Sequence, residues 1–215
     1  MLRTRVKICG LTNVEEAIAA GGLGADAVGL VFYPQSKRAL SVETAVSIRK
    51  ALPTFVSAVG LFVNPTEAQV ETVLKQLHLD CLQFHGDETP QFCASFGLPY
   101  MKAIRVREGL DLEREISRFT TSSAILLDSF DKQSAGGTGT RFDWNIAAKA
   151  VCATQQRIVL AGGLDPQNVA AAIRQVQPYA VDVSSGVESV PGRKSPERMQ
   201  AFLSEVNSVG IQARE

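Results

Sequence analysis

Short runs of Val, Ile, Leu and Phe recur along the chain at strand length: "RVKICG", "ADAVGLVFY", "FVSAVGLFV", "CLQFHG", "YMKAIRV", "AILLDS", "RIVLAGG" and "AVDVSSG". Segments with helical periodicity separate them. Several open with a cap signal: Thr12 with Glu15, Thr66 with Gln69, Asp165 before Pro166, and Ser195 before Pro196. The pattern predicts strand and helix in strict alternation, eight times. Parallel strands need a crossover connection, usually a helix, so the alternation argues for a parallel sheet with helices packed outside it. Eight units within 215 residues predict an α/β fold, an eight-stranded parallel β/α barrel. A doubly wound open sheet is the alternative; against it, no G-x-G-x-x-G follows the first strand. No composition break, charge block or Pro/Ser-rich linker divides the chain, so residues 1–215 read as one barrel domain.

In such a barrel the chemistry gathers at the C-terminal ends of the strands and in the loops that follow them. Side chains alternate across a strand, so a polar residue in an apolar run betrays the face it shares with its i±2 neighbours. Arg5, Lys7 and Cys9 share one face of the first strand, and Val6 and Ile8 the other, which points the polar set inward. By the same rule Cys81, Gln83 and His85 face together on the fourth strand, Asp128 ends the sixth, and Asp182 and Ser184 face alike on the eighth. A thiol and a carboxyl, Cys9 and Asp128, are then candidates for a general base and a general acid. A nearby cation such as Lys7 favours the thiolate, whereas burial disfavours it. The competing readings are packing for Cys9 and a backbone turn cap for Asp128. For His85 the competing reading is a hydrogen-bonded core residue.

The glycines add a different signal. "LAGGLDP" follows the seventh strand and "VSSGVE" the eighth, where barrels of this kind often hold a phosphate on backbone N–H groups. Gly162, Gly163, Ser185 and Gly186 are the relevant residues. "SAGGTGTRFDW", after the sixth strand, reads as a loop able to close over a substrate phosphate. "YPQSKRALS", after the second, carries Lys37 and Arg38 to the same mouth.

Composition narrows the function classes. Hydrophobic residues make up 45% and charged residues 20%, as in an ordinary soluble globular protein. Lys plus Arg and Asp plus Glu both number 22, which gives no pull toward nucleic acid or an anionic membrane. No apolar stretch approaches a membrane span, and Met1 to Arg5 leads into a strand rather than a signal-peptide core, so a cytoplasmic location is expected. Four scattered cysteines without a C-x-x-C pair, and two histidines, indicate neither a disulfide framework nor a metal site. The expected partner is a small phosphorylated substrate, with no cofactor, bound by a monomer or homodimer.

Across nearly its whole length the sequence resembles phosphoribosylanthranilate isomerase of tryptophan biosynthesis. The resemblance is carried by "KICGLT" (7–12), "GLVFYPQSKR" (29–38), "VGLFVN" (59–64), "QFHGDE" (83–88), "LLDS" (126–129), "GGTGTRFDW" (136–144), "LAGGLDPQNV" (160–169) and "DVSSGVE" (182–188). It implies a β/α barrel that performs an Amadori rearrangement without nicotinamide, flavin or metal, with Cys9 as general base and Asp128 as general acid. It also implies that Arg38 meets or orients the anthranilate carboxylate. The backbone around Gly162, Gly163, Ser185 and Gly186 would hold the phosphate, and His85 and Asp182 would line the pocket. The related histidine-pathway isomerase resembles a barrel with aspartate in both catalytic roles and two phosphate sites, which Cys9 and the single marked phosphate region disfavour. A catalytically silent sugar-phosphate-binding barrel would have no reason to pair this thiol with this carboxyl.

Overall fold

The computed structural model describes residues 3–107, 109–129 and 143–209. The chain runs β1 (Arg5–Cys9), α1 (Val14–Gly22), β2 (Ala27–Val31), α2 (Val42–Ala51), β3 (Ser57–Phe62), α3 (Glu67–Leu74), β4 (Cys81–Phe84) and α4 (Pro90–Ala94). It continues with β5 (Tyr100–Val106), α5 (Leu112–Arg118), β6 (Ala124–Ser129), α6 (Trp144–Ala153), β7 (Ile158–Leu160), α7 (Val169–Val176) and β8 (Ala180–Val183). A small antiparallel hairpin, β9 (Glu188–Val190) and β10 (Arg193–Lys194), then precedes α8 (Pro196–Ser208). Strands β1 to β8 lie in sequence order, all parallel, and β8 pairs with β1 to close a barrel. The eight strands expected from the apolar runs are therefore all present.

Alternation sorts each strand into two layers. Val6, Ile8, Val28, Leu30, Leu82, Phe84, Ile125 and Leu127 face outward and join α-helical residues such as Ala17, Ile48, Val70, Ile173 and Phe202 in one continuous core. Fully burying a side chain of this size is worth about 1.5–3 kcal/mol, which is why helices sheathe the sheet. Inside the barrel, Val59, Met101, Ala103, Leu126, Val159 and Ala180 form a smaller apolar plug. Cys9, Val31 and Leu61 form a third cluster against Tyr33 and Val63.

Two of the four cap signals hold. Thr66 and Gln69 form a reciprocal capping box on α3, and Ser195 caps α8 with Pro196 in its first turn. The other two are displaced. Asn13, not Thr12, caps α1, because its side chain accepts from Glu16 N while the Glu16 carboxylate reaches back to Thr12 N. Asp165 closes a turn on Gln167 N, and α7 begins only after Asn168. Both shifts arise because several neighbouring residues can accept a backbone N–H, and the loop's path decides which one does.

Candidate active site

The C-terminal ends of the strands hold the polar side chains together. On β1, Lys7 Nζ donates to Asp182 Oδ1 of β8 at 2.7 Å, and both side chains are buried. This pair forms a charged floor under Cys9. Above it Cys9 is 5% exposed, and its carbonyl accepts from Ser184 Oγ at 3.0 Å. Gly29 on β2 makes room for the thiol, since a Cβ there would stand 2.5 Å from Cys9 Sγ. Gly10, with φ +78°, turns the chain away under the Arg38 side chain.

Charges around Cys9 pull in both directions. Burial pushes the thiol above its ordinary range; Lys7 and Lys194 pull it down, Asp182 pushes it further up, and burial wins. The surroundings thus favour the neutral thiol over the thiolate. Lys7 does both things its position allowed: it braces the barrel through Asp182 and it favours the thiolate. Burial opposes charge on Lys7, yet Asp182 and Cys9 outweigh it and raise its pKa. Burial also raises Asp182, against the pull of Lys7. The two partners lean opposite ways, and the 2.7 Å contact supports the charged pair.

Across the mouth, Asp128 ends the inward face of β6. Its Oδ1 accepts from Ser129 N at 2.8 Å, and its Oδ2 lies 3.2 Å from His85 Nε2 without hydrogen-bond geometry. His85 Nδ1 is 3.4 Å from Gln83 Nε2. Gln83 Oε1 and His85 Nε2 are buried and lack partners. Arg105, at the end of β5, was not anticipated; its Nη2 donates to the His85 carbonyl at 2.9 Å and its register partner is Asp128. Its signal was available in "YMKAIRV", where Met101, Ala103 and Arg105 share the inward face.

The two glycine loops after β7 and β8 lie side by side. Gly162 and Gly163 have φ of +82° and +65°, and a Cβ on Gly162 would stand 2.5 Å from Ser129 N and 2.9 Å from Asp128 Oδ1. Gly186, with Ser185 in a single 3-10 turn (Ser185–Val187), packs so closely on Leu164 O that a Cβ would collide with it. Loops 7 and 8 therefore adjoin each other and the Asp128 side of the mouth. The glycine-rich stretch after β6, from Ser134 to Arg141, lies outside the described residues.

Arg38 sits at the mouth with one edge of its fork engaged: Nε and Nη2 donate to Glu188 at 2.6 and 2.8 Å. Glu188 also accepts from Lys194 Nζ at 2.7 Å, and Lys194 continues to Ser184. Burial would raise Glu188, but Arg38 and Lys194 together hold it below its ordinary value. Neither Glu188 nor Lys194 was anticipated, because the β9–β10 hairpin that carries them is too short to read from periodicity. Lys37 is exposed. No cluster of three or more His, Cys, Asp or Glu side chains able to hold a metal occurs among the described residues. Among them, too, no helix is long and apolar enough to cross a membrane. A groove of about 640 Å³ between the loop after β2 and α3, lined by Phe32, Leu40, Phe62 and Val73, includes neither Cys9 nor Asp128.

The arrangement sets a thiol and a carboxyl at one end of the barrel, with two adjoining glycine loops beside the carboxyl. The family model for N-(5'phosphoribosyl)anthranilate (PRA) isomerase matches residues 6–205. N-(5'-phosphoribosyl)anthranilate isomerase of Nitrosococcus oceani is 49% identical over 208 residues, 97% of this chain and 100% of that one. The crystal structure of phosphoribosyl anthranilate isomerase from Thermotoga maritima has a TM-score of 0.87 at 40% identity, covering 95% of this chain and 99% of that one. A second isomerase structure, holding reduced 1-(O-carboxyphenylamino)-1-deoxyribulose 5-phosphate, has a TM-score of 0.84 at 39% identity, with 95% and 99% covered. The chain therefore belongs to the N-(5'-phosphoribosyl)anthranilate isomerase family.

Proposed function

We propose that the chain converts N-(5-phosphoribosyl)anthranilate into 1-(2-carboxyphenylamino)-1-deoxyribulose 5-phosphate in tryptophan biosynthesis, with Asp128 as acid and Cys9 as base. One observation carries the assignment of roles: Cys9 on β1 and Asp128 on β6 face one mouth from different sides, and the glycine loops after β7 and β8 adjoin Asp128. Asp128 gives its proton to the furanose ring oxygen, the C1–O bond breaks, and the nitrogen lone pair forms an iminium. That cation acidifies the C2 hydrogen. Cys9, as thiolate, removes it, and the electron pair forms an enolamine. Protonation at C1 and loss of the 2-hydroxyl proton give the ketone, so oxidation at C2 balances reduction at C1 within one molecule.

The test uses freshly generated phosphoribosylanthranilate and no added cofactor or metal. Purified protein should quench the substrate's fluorescence. Cys9→Ser and Asp128→Asn should each lose about 10²- to 10⁴-fold in kcat while keeping their fold. Normal turnover by both variants would overturn the roles, and an inactive wild type the function.

A cytoplasmic setting fits four cysteines that are all free thiols, and cell fractionation checks it. The Thermotoga maritima relative is described as dimeric, and here Phe55, in the loop after α2, is 96% exposed. A homodimer that covers Phe55 predicts a dimer by sedimentation and a monomer for Phe55→Glu.

A further inference from the structure

The substrate of the proposed reaction carries two anions, and the glycine loops account for only one of them. Arg38 has committed the Nε and Nη2 edge of its guanidinium to Glu188, which leaves its Nη1 side for an incoming group. Arg105 has more donors to spare. A guanidinium has five N–H donors, and the Arg105 group uses one of them, on the His85 carbonyl, among the described residues. Its Nε is buried without a partner. A buried, unsatisfied donor on a charged group costs free energy in the empty protein, and an incoming anion would recover part of that cost.

The location of Arg105 follows from the chemistry at Asp128. That acid has two flanks. On one, Gly162 stands so close that a Cβ would meet Asp128 Oδ1, which is the flank of loops 7 and 8. On the other, Arg105 is its register partner on β5. The ring oxygen that Asp128 protonates is bonded to C4, which leads to the phosphate, and to C1, which carries the arylamine. With the phosphate end toward β7 and β8, the arylamine extends past Asp128 toward β5.

We propose that Arg105 is a substrate-binding, specificity-determining residue that receives the ortho-carboxylate of the aryl ring, with Arg38 facing the same ring from the β2 side. This rests on the function proposed above. The competing role is purely mechanical, a brace that holds the His85 backbone.

The two roles separate when a protein group and a substrate group are removed in turn. Phosphoribosylanthranilate and phosphoribosylaniline, which lacks the carboxylate, are each formed from ribose 5-phosphate and the aryl amine, and their isomerisation is followed with wild type and Arg105→Met. On the anthranilate compound Arg105→Met should lose about 10- to 100-fold in kcat/KM, mostly through KM, as expected for a lost charge-assisted contact. On the aniline compound the two proteins should agree within about 2-fold. Arg105→Lys should recover part of the loss on the anthranilate compound only. An equal loss on both compounds would overturn the proposal in favour of the brace, and so would no loss on either. Wild type inactive on phosphoribosylanthranilate would instead overturn the functional reading.

Discussion

With Cys9 as the proposed base, its thiol should set the pH behaviour of the reaction. Because burial keeps its thiol above the ordinary range, the thiolate fraction grows as pH rises, and kcat/KM should still be climbing at pH 9. Cys9→Asp replaces the thiol with a base already ionised at neutral pH, so its profile should lose that rising limb. A profile for wild type that is flat from pH 7 to 9 would contradict a thiol base. Lys7 supplies a second prediction at this scale. Lys7→Met strands the buried Asp182 carboxylate and should cost about 3–5 kcal/mol in urea unfolding, whereas Lys7→Met combined with Asp182→Leu should recover much of it.

Among the elements, the β9–β10 hairpin does more than its two short strands suggest. Glu188 joins Arg38 from the β2 loop to Lys194, and Lys194 joins Ser184, whose hydroxyl holds the Cys9 carbonyl. A carboxylate whose folded pKa lies below its unfolded value stabilises above the unfolded value and loses that contribution as pH falls through the folded one. Unfolding free energy should accordingly hold steady down to the ordinary carboxylate range near 4.5 and decline only on further acidification, with Glu188→Gln removing that part of the decline. Loop 8 offers a cleaner functional test: Gly186→Ala collides with Leu164 O and should raise KM more than it lowers kcat. What could be read beforehand follows the same division. Strands and inward faces were legible because a period of two repeats over several residues, as in Lys7 and Cys9 or Gln83 and His85. The hairpin is not legible in this way, since three- and two-residue strands show no period, and the apolar members of the "YMKAIRV" run mask Arg105. The cap of α1 shifted by one residue because Thr12 and Asn13 offer the same chemistry to the same helix.

At the scale of the molecule, the barrel separates stability from chemistry. The outward layer and the interior plug are mainly apolar, the buried Lys102–Glu88 ion pair being an exception, while the mouth collects Lys7, His85, Asp128 and Asp182. Leu126, fully buried inside the barrel, should cost about 2–5 kcal/mol as Leu126→Ala, with KM for the surviving folded protein little changed. The closure of the barrel also has a temporal side. Lys7 and Asp182 are 175 positions apart, so at about 5–20 residues per second the ribosome makes the first strand roughly 10–35 s before the partner that seals it. Throughout that interval β1 presents an open edge and a half-finished ion pair. Chains stalled just before β8 should therefore be captured by chaperones that chains stalled after α8 escape, so the strand that bears Cys9 is also the nascent protein's longest-lived point of risk.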